Sequence, residues 1–383
     1  MMRKRFSIYR YIPSVLALVV LGAGFFTVYQ AVRLNGGLGD RILALSAGAA
    51  LPDASLSLFY GDSELSDDEV YLPDIVSVPI AEGSEPAQSQ QPNDGQASSG
   101  TASTAAAAAT ASALPANYGT ILRENLNLKS TQGALFLTYE NGIIKNSTKL
   151  SADKVTGYMK KDAAFRIYKN NKPQVLIYHT HATEAFENST QYFDKSYNSR
   201  TQDNQKNIVS VGNLIAKQLE DAGIKTLHDT TAHDYPSYNG SYNRSAKTIS
   251  DYLKKYPTIK VVLDIHRDAI ERDGSRISAV ATIDGKDAAQ VMIISGCDDG
   301  SMDYPNWKTN LRFAVRLQSE METLYPGLTR PVMFCYRRYN QHLSSGALLI
   351  EIGSHGNTLA EAQYAGELVG KSLVSLFEKY PGT

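Results

Sequence analysis

Histidines and carboxylates collect at the ends of three apolar stretches of this chain, which has only seven histidines in 383 residues. The stretches read VLIYHTHATEAF (175–186), VVLDIHRDA (261–269) and ALLIEIGSHGNT (347–358). Their polar residues are His179, His181 and Glu184, then Asp264, His266, Arg267 and Asp268, then Glu351 and His355. Because ligands of open α/β sheets bind beyond the carboxyl ends of the strands, we expect these groups to lie close together.

Such a set of side chains could hold a catalytic zinc ion, which takes about three nitrogen or oxygen ligands and keeps one position open for water. Zinc lowers the pKa of that water toward about 7, and a carboxylate base takes its proton during attack on a carbonyl. Glu351 suits the role of the base, because a lone carboxylate inside an apolar strand is costly unless it has a task. Taken together, the three strand ends favour a metal site.

A structural interpretation competes with the catalytic one at each position. His266 alone could be a hydrogen-bonded core histidine, and Glu351 could form a buried ion pair with Arg267. Asp268 could hold Arg267, or it could orient a liganding histidine from outside the metal shell. His228 and His233 lie among loop residues (HDTTAHD) and are expected at the surface.

Other kinds of catalytic site lack support in the sequence. There is no Walker loop and no GxGxxG, GxSxG or HExxH motif. An HxH pair also follows a strand in metallo-β-lactamase-like hydrolases, but Ala182, Thr183 and Glu184 stand where those enzymes have Asp-His. Amidohydrolase barrels need eight βα units, more than the chain provides.

From about Pro115 onward, apolar strands alternate with amphipathic helices. Strands are predicted at 174–178, 224–228, 259–266, 291–295 and 347–353, and helices at 207–223, 241–257, about 306–324 and 357–380. The helix at 207–223 has apolar residues at helical spacing and ends on a capping glycine. The alternation indicates an α/β domain with a mostly parallel, twisted sheet and helices on both faces.

Charge and composition divide the chain into three parts. Residues Tyr11–Val32 carry no charge and are long enough to cross a bilayer core of about 30 Å as a helix. Four basic residues precede this run, which predicts a cytoplasmic N-terminus and an extracytoplasmic remainder, with a cleaved signal peptide as the alternative. The predicted domains are 1–33, a cytoplasmic tip and transmembrane anchor; 34–114, a low-complexity flexible tether; and 115–383, the folded domain. The net charge of −1 predicts no nucleic-acid partner.

The anchor, the tether and the motifs VLIYHTHATEAF, LDIHRDA and ALLIEIGSHGNTLAEA together resemble the stage II sporulation protein P family. That family comprises membrane-anchored cell-wall hydrolases of endospore-forming Firmicutes, and the resemblance runs from about residue 115 to the end. The family is similar to zinc-dependent N-acetylmuramoyl-L-alanine amidases, so the implied fold is amidase-like. On their pattern, His181 and His266 take the places of the two histidine ligands, and Glu351 takes that of the catalytic glutamate.

The resemblance leaves the carboxylate ligand open between two residues. Asp203 stands before a helix, where the amidases have a glutamate ligand, whereas Glu184 lies three residues after His181. His179 is then expected to line the site or to orient a neighbour. Arg267 is expected to stabilise the oxyanion.

The resemblance also implies a substrate and a cellular setting. The expected activity is zinc-dependent hydrolysis of the peptidoglycan amide between N-acetylmuramic acid and the L-Ala of the stem peptide, with a second, endopeptidase activity on stem cross-links. The implied setting is engulfment of the forespore at the cell membrane, with stage II sporulation proteins D and M as partners. The alternatives are a peptidase acting mainly on cross-links and a non-catalytic wall-binding scaffold that localises partner hydrolases.

Overall fold

The computed structural model describes residues 117–127 and 135–382. The transmembrane anchor and the whole of the tether predicted from the sequence lie outside these residues. No helix among the described residues is long and apolar enough to cross a membrane. Within them, the chain forms a mixed α/β fold with two sheets.

Thirteen strands and five α-helices make up the described part of the chain. The strands are β1 (Tyr118–Glu124), β2 (Phe136–Tyr139), β3 (Gly142–Asn146), β4 (Val175–Tyr178), β5 (Tyr192–Asp194), β6 (Thr226–His228), β7 (Val261–Asp268), β8 (Glu271–Arg272), β9 (Ser275–Ile283), β10 (Lys286–Ala289), β11 (Val291–Gly296), β12 (Val332–Cys335) and β13 (Ala347–Ser354). The helices are α1 (Ala152–Met159), α2 (Ile208–Asp221), α3 (Ser241–Lys255), α4 (Trp307–Leu324) and α5 (Leu359–Glu378). Every element predicted from the sequence is present, with ends that differ by one or two residues.

The larger sheet has eight strands in the order β2-β3-β12-β11-β13-β7-β4-β6. The β2–β3 and β11–β13 pairs are antiparallel, and the other neighbours are parallel. The mostly parallel sheet predicted from the sequence is therefore present. Since β4, β7 and β13 run in the same direction, their carboxyl ends meet at one edge of the sheet.

Helices cover both faces of this sheet, because alternate side chains of each strand point to opposite sides. Val175 and Ile177 of β4 pack on the side that carries α1, α2, α4 and α5. Leu176 and Tyr178 pack on the other side, against Ile249 of α3. The strands are buried on both faces, as expected for a parallel sheet.

Side-chain caps fix where two helices begin. The side chain of Asn207 accepts a hydrogen bond from Val209 N (3.0 Å) at the start of α2, and Ile208 N donates to the main-chain oxygen of Glu184 (2.8 Å). A capping box between Thr358 and Glu361 starts α5. The first turn of α2 is thereby tied to the HTHATE segment that follows β4.

A second, five-stranded sheet is absent from the sequence prediction, and it runs β10-β9-β1-β5 with β8 beside β9. Asp284 and Gly285 connect β9 to β10, and both have positive φ (49° and 76°). Such a turn joins antiparallel strands, and the Asp-Gly dipeptide is a strong sequence signal for it. That signal could have revealed the hairpin.

Candidate metal centre

Two histidines and one glutamate meet near the carboxyl ends of β4 and β7. His181 follows β4, Glu184 lies three residues later, and His266 is in β7. His181 Nδ1 lies 3.6 Å from Glu184 Oε1, and His266 Nδ1 lies 3.7 Å from Glu184 Oε2. One ligand atom of each residue lies within 4.8 Å of the other two, and all three residues are buried.

A tight turn brings Glu184 back toward His181. Glu184 N donates a hydrogen bond to His181 O (3.1 Å), so the chain reverses directly after the first ligand position. From β7, Arg267 N donates to Glu184 Oε2 (3.0 Å). The carboxylate is therefore held from two sides and lies between the two imidazole rings.

The other ring nitrogen of each histidine has its own partner. His181 Nε2 lies 3.1 Å from Ser241 Oγ, and His266 Nε2 lies 2.8 Å from Asp264 Oδ1, a close charge contact rather than a well-aligned hydrogen bond. Asp264 is itself fixed by Thr180, whose N and Oγ1 donate to Oδ1 (2.8 Å) and Oδ2 (2.7 Å). These outer contacts orient both rings so that Nδ1 faces Glu184, as second-shell partners do in metal sites.

Electrostatics match the geometry of the cluster. Burial opposes ionisation of Glu184, but the hydrogen bond with His181 and the charges of His266 and Arg267 hold the pKa of Glu184 well below its ordinary value. Burial likewise opposes charge on His266, but the neighbouring Asp264, Glu184 and Glu351 raise the pKa of His266 to about 10. Without an ion, the neighbouring carboxylates thus favour a positive charge at this point, and the protonated His266 ring carries it.

The donor set fits a zinc-type ion. Two imidazole nitrogens and one carboxylate oxygen are borderline and hard donors that zinc accepts, and three protein ligands leave a coordination position open. Both histidines offer Nδ1 as the inward atom while Nε2 contacts Ser241 or Asp264, so an ion would bind without changing the contacts at Nε2 once His266 Nδ1 has released its proton.

Glu351 lies beside the cluster on the neighbouring strand. In the parallel register of β13 and β7, Glu351 is paired with His266. Glu351 Oε2 is buried and has no hydrogen-bond partner in the structure. Burial, reinforced by the charge of Asp268, raises the pKa of Glu351 to about 8. A carboxyl group with these properties can accept or release a proton near neutral pH.

Aromatic rings form one wall of the site. Tyr238 stacks on the His181 ring, with centroids 4.5 Å apart and an interplanar angle of 21°. Tyr242 meets the same ring edge-on at 5.6 Å, and Tyr339 lies 5.6 Å from Tyr242. Burial raises the pKa of Tyr238 to about 12. The wall orients His181 and gives the site an apolar side.

Asp203, the other predicted carboxylate ligand, is not in the cluster. Its Oδ2 lies 3.2 Å from Lys206 Nζ, and its Oδ1 accepts a hydrogen bond from Gln205 N (3.0 Å). Its side chain is 42% exposed. The sequence analysis left Asp203 and Glu184 as competitors, and the structure brings only Glu184 to the two histidines.

Arg267 occupies a different position from the one expected for an oxyanion-stabilising residue. Its guanidinium donates to the main-chain oxygens of Ala185 (2.8 Å), Ser199 (2.8 Å) and Asp268 (3.3 Å). Nε and Nη2 therefore hold the loop that follows the first ligands, and Nη1 bonds the main chain of β7 itself. The Asp268 carboxylate pairs with Arg330 (2.9 Å), not with the Arg267 guanidinium or with a liganding histidine.

His179, expected to line the site or to orient a neighbour, is not one of the three clustered residues. Its Nδ1 lies 2.8 Å from Ile265 O, and its Nε2 lies 2.8 Å from His228 Nε2. His233 is buried, with Nδ1 2.8 Å from His179 O. The placement of His228 and His233 at the surface is therefore wrong, because they pack the HTH segment against α2 and α3.

Four residues at the site had no signal in the sequence analysis: Arg200, Asp234, Tyr238 and Ser241. Arg200 follows β5, Asp234 and Tyr238 lie in the loop before α3, and Ser241 is the first residue of α3, so their positions depend on how these segments fold over the cluster. An apolar strand is visible in the sequence and thereby locates the site residues at its end, but a polar loop has no periodic pattern from which its site residues could be predicted.

The fold and the site define an α/β protein with a centre of two histidines and one carboxylate, the donor set of metal-dependent hydrolases. The chain belongs to the stage II sporulation protein P family, whose model matches residues 87–373. It is 30% identical over 206 residues to stage II sporulation protein P of Bacillus subtilis (strain 168), which covers 51% of this chain and 49% of the relative. The chain thus spans about half the length of this curated relative.

Two solved structures show a weaker similarity. One is the CwlD amidase of Clostridioides difficile in complex with the GerS lipoprotein, with a TM-score of 0.35, 11% identity, and coverage of 54% of this chain and 98% of that chain. The other is an N-acetylmuramoyl-L-alanine amidase from Clostridium difficile 630, with a TM-score of 0.31, 17% identity, and coverage of 55% and 97%. At scores of this size, neither fold nor function is inferred from the likeness.

Proposed function

We propose that this protein is a zinc-dependent peptidoglycan hydrolase that cleaves the amide between N-acetylmuramic acid and the L-Ala of the stem peptide. The observation that carries the proposal is the buried cluster of His181, Glu184 and His266, whose ligand atoms lie within 4.8 Å of one another. Membership in the stage II sporulation protein P family supports the cell wall as the substrate.

His181 Nδ1, His266 Nδ1 and one oxygen of Glu184 are the proposed zinc ligands. A zinc ion held by such ligands supplies an activated water and polarises a carbonyl oxygen. Asp264 and Ser241 keep the two rings in the binding orientation, and the buried setting excludes bulk water from the ligands. The chain itself therefore provides a preorganised site for the chemistry.

Glu351 is the proposed proton carrier. During hydrolysis, a bond forms between the water oxygen and the amide carbon, and the bond from that carbon to nitrogen breaks. Glu351 takes one proton from the water and delivers it to the leaving nitrogen, so the first products are a carboxylic acid and an amine, which then ionise to a carboxylate and an ammonium group. Its unpartnered Oε2 and its raised pKa of about 8 support this role, because an acid–base group works best with a pKa near the working pH.

Membrane attachment and partners are part of the proposal. We place the protein in the cell membrane through residues 11–32, with its hydrolase domain outside the cytoplasm, where the wall polymer lies. Stage II sporulation proteins D and M are the proposed partners, and forespore engulfment is the proposed process. Cleavage of stem cross-links is proposed as a second activity of the same site.

The proposal is tested with four variants, His181→Ala, Glu184→Gln, His266→Ala and Glu351→Gln, assayed for bound zinc and for release of stem peptides from purified wall. The three ligand variants should lose zinc and activity together. Glu351→Gln should keep one zinc per chain and lose activity by a factor of about 10² to 10⁴, the usual contribution of a positioned acid–base group.

Asp203→Asn is the matched control, because Asp203 is a carboxylate near the site in sequence but outside the cluster. It should keep zinc and activity. Full activity of any ligand variant would remove that residue from the mechanism. If the zinc-loaded wild type releases no stem peptides, the protein is not a hydrolase of this bond, and the wall-binding scaffold becomes the preferred function. Mass spectrometry of the products separates muramoyl-amide cleavage from cross-link cleavage.

A further inference from the structure

Arg200 is an arginine beside the metal centre whose guanidinium is fixed in place but not buried. Its Nη1 donates to Asp234 Oδ2 (2.7 Å) and to Thr183 Oγ1 (3.2 Å). Its guanidinium carbon lies 4.9 Å from the centroid of the Tyr238 ring, whose other neighbour is His181. The side chains of Asp234, Thr183 and Tyr238 thus hold the Arg200 guanidinium in one orientation.

The second terminal nitrogen of Arg200 faces the cluster. Nη2 lies 3.9 Å from Glu184 Oε1, which is too long for a hydrogen bond. The Arg200 side chain is 28% exposed, whereas Glu184 is 6% exposed and Asp234 is fully buried. The guanidinium therefore borders both the ligands and the solvent-facing side of the site, where a substrate would enter.

Nearby arginines do not combine a fixed position and a free donor with access to the solvent-facing side of the site. The nitrogens of Arg267 are bonded to three main-chain oxygens, and Arg276 is bonded to Glu187 and Ser199 with its side chain only 10% exposed. Arg330 is paired with Asp268 through Nη1 and keeps Nε and Nη2 without a hydrogen-bond partner among the described residues, but its side chain is only 6% exposed and therefore does not border the solvent-facing side.

We propose that Arg200 is a catalytic residue that stabilises the oxyanion of the scissile amide through Nη2. The inference rests on the proposed function, and it assigns to Arg200 the role that the sequence analysis gave to Arg267. Negative charge grows on the carbonyl oxygen as the water oxygen bonds to the carbon, and it disappears when the carbon–nitrogen bond breaks. Arg200 donates a hydrogen bond to that oxygen and exchanges no proton, because a guanidinium keeps its charge in proteins.

Fixation by Asp234 and Tyr238 is what makes such a donor effective. A donor that is already aimed at the developing charge needs no reorganisation during the reaction, and a partly desolvated setting strengthens its interaction. A planar guanidinium that is stacked on a ring and anchored at one nitrogen keeps the other nitrogen in a constant direction. Lysine at this position would keep the charge but lose both constraints.

The experiment uses Arg200→Lys and Arg200→Gln in the full chain, each measured for bound zinc, thermal unfolding, kcat and KM on a soluble disaccharide–pentapeptide. A direct binding measurement accompanies them, in which the same substitutions are combined with Glu351→Gln and the Kd of the uncleaved fragment is determined. We expect one zinc per chain, a kcat lower by a factor of about 10² to 10³, a KM within about threefold, and an unchanged Kd.

Arg166→Gln is the matched control. Arg166 also pairs with an aspartate, Asp162 (3.1 Å), and also lies over a tyrosine ring, Tyr380 (5.4 Å), but it takes no part in the site. It should leave kcat, KM and zinc content unchanged. If it lowers kcat as much as Arg200→Gln does, the effect is not specific to the site and the inference fails.

Three results would overturn the role of Arg200. Loss of zinc in Arg200→Lys would mean that the arginine acts by holding Glu184. A raised KM and a weaker Kd with an unchanged kcat would mean that it binds an anionic group of the substrate in the ground state. Full activity of Arg200→Gln would show that Arg200 has no catalytic role, while the proposed hydrolase function would still hold. A zinc-loaded wild type without activity would refute both the role of Arg200 and the proposed function.

Discussion

At the scale of single residues, Asp264 determines which ring nitrogen of His266 is available to bind a metal ion. The carboxylate is buried, accepts two hydrogen bonds from Thr180, and lies 2.8 Å from His266 Nε2. The charge of Asp264 favours a proton on that nitrogen, which leaves Nδ1 as the atom that can bind a metal. A second-shell carboxylate of this kind also raises the basicity of the ligand.

Asp264→Asn should therefore lower the affinity for zinc by a factor of about 10 to 100, the usual effect of losing a second-shell partner. The amide can still contact Thr180, but it has no charge to fix the proton on His266 Nε2. Competition with a chromogenic chelator measures the dissociation constant. Asp203→Asn serves as the control and should bind zinc as the wild type does. Equal affinity in both variants would show that Asp264 does not support the ligand.

The strand ends indicated a metal site with Glu351 as its base, and the resemblance to the family implied His181 and His266 as the histidine ligands. It could not decide between Glu184 and Asp203. That choice depends on the turn in which Glu184 N bonds to His181 O, and on the main-chain donor of Arg267. The first is a local turn, and the second joins segments 83 positions apart; neither has a counterpart in residue spacing.

At the scale of elements, a close contact joins α2 to the sheet. Gly212 of α2 faces the His179–His228 pair, and a Cβ atom at this position would lie 2.7 Å from His228 Nε2 and 2.8 Å from His179 Nε2. Real Cβ atoms do not approach other atoms so closely, and both rings are held by hydrogen bonds. The absence of a side chain at Gly212 thus sets the distance between α2 and β4.

Gly212→Ala should destabilise the protein by about 1 to 3 kcal/mol, because the added methyl group overpacks this contact. The matched control is Gly157→Ala in α1, where a Cβ would meet nothing within 4 Å. That change should stabilise the protein by about 0.5 to 1 kcal/mol through helix propensity. Denaturant unfolding measures both. A stabilising Gly212→Ala would contradict the close approach of α2.

The same histidine pair should make stability depend on pH. Burial lowers the pKa of His179 to about 3 and that of His228 to about 4, and the charge of His228 further disfavours a proton on His179. As pH falls below about 6.5, the unfolded chain takes up protons that the folded chain excludes, so stability is lost between about pH 6.5 and pH 4. Above pH 6.5 both states are neutral and this contribution disappears.

His228→Gln should reduce the loss of stability between pH 7.5 and pH 5 by roughly 1 to 2 kcal/mol, because one group that resists protonation is removed. Glutamine keeps a donor for His179 Nε2. The measurement is urea unfolding of chelator-treated protein at both pH values, so that metal release does not contribute. An identical pH dependence in the variant and the wild type would rule out His228 as its source.

The elements themselves were predictable where periodicity is strong. The helices α2 to α5 and the central strands of the large sheet were placed to within two residues. The second sheet was not predicted, because β1 joins it by pairing in parallel with β9, about 150 positions away. Pairing between such distant segments is decided by the packing of the whole domain, and the local alternation in β1 is too short to indicate it.

At the scale of the whole molecule, location should depend on a segment outside the described residues. The uncharged run at 11–32 predicts a membrane anchor, and the folded domain has no helix among its described residues that could replace it. A membrane-bound hydrolase that acts on an insoluble polymer needs two separable parts, one for attachment to the membrane and one for catalysis. The cluster of His181, Glu184 and His266 lies entirely in the second part.

A chain that begins at residue 115 should therefore lose membrane association but keep its activity on purified wall. In fractionated cells, the full chain should sediment with membranes and resist extraction by high salt, whereas the shortened chain should stay in the supernatant. Replacing residues 11–32 with an unrelated membrane-spanning helix should restore sedimentation, because the run is proposed to act through its length and apolarity. If the shortened chain still sediments with membranes after a salt wash, the folded domain carries an attachment surface of its own. If it stays soluble but no longer cleaves wall, residues before 115 contribute to the catalytic domain.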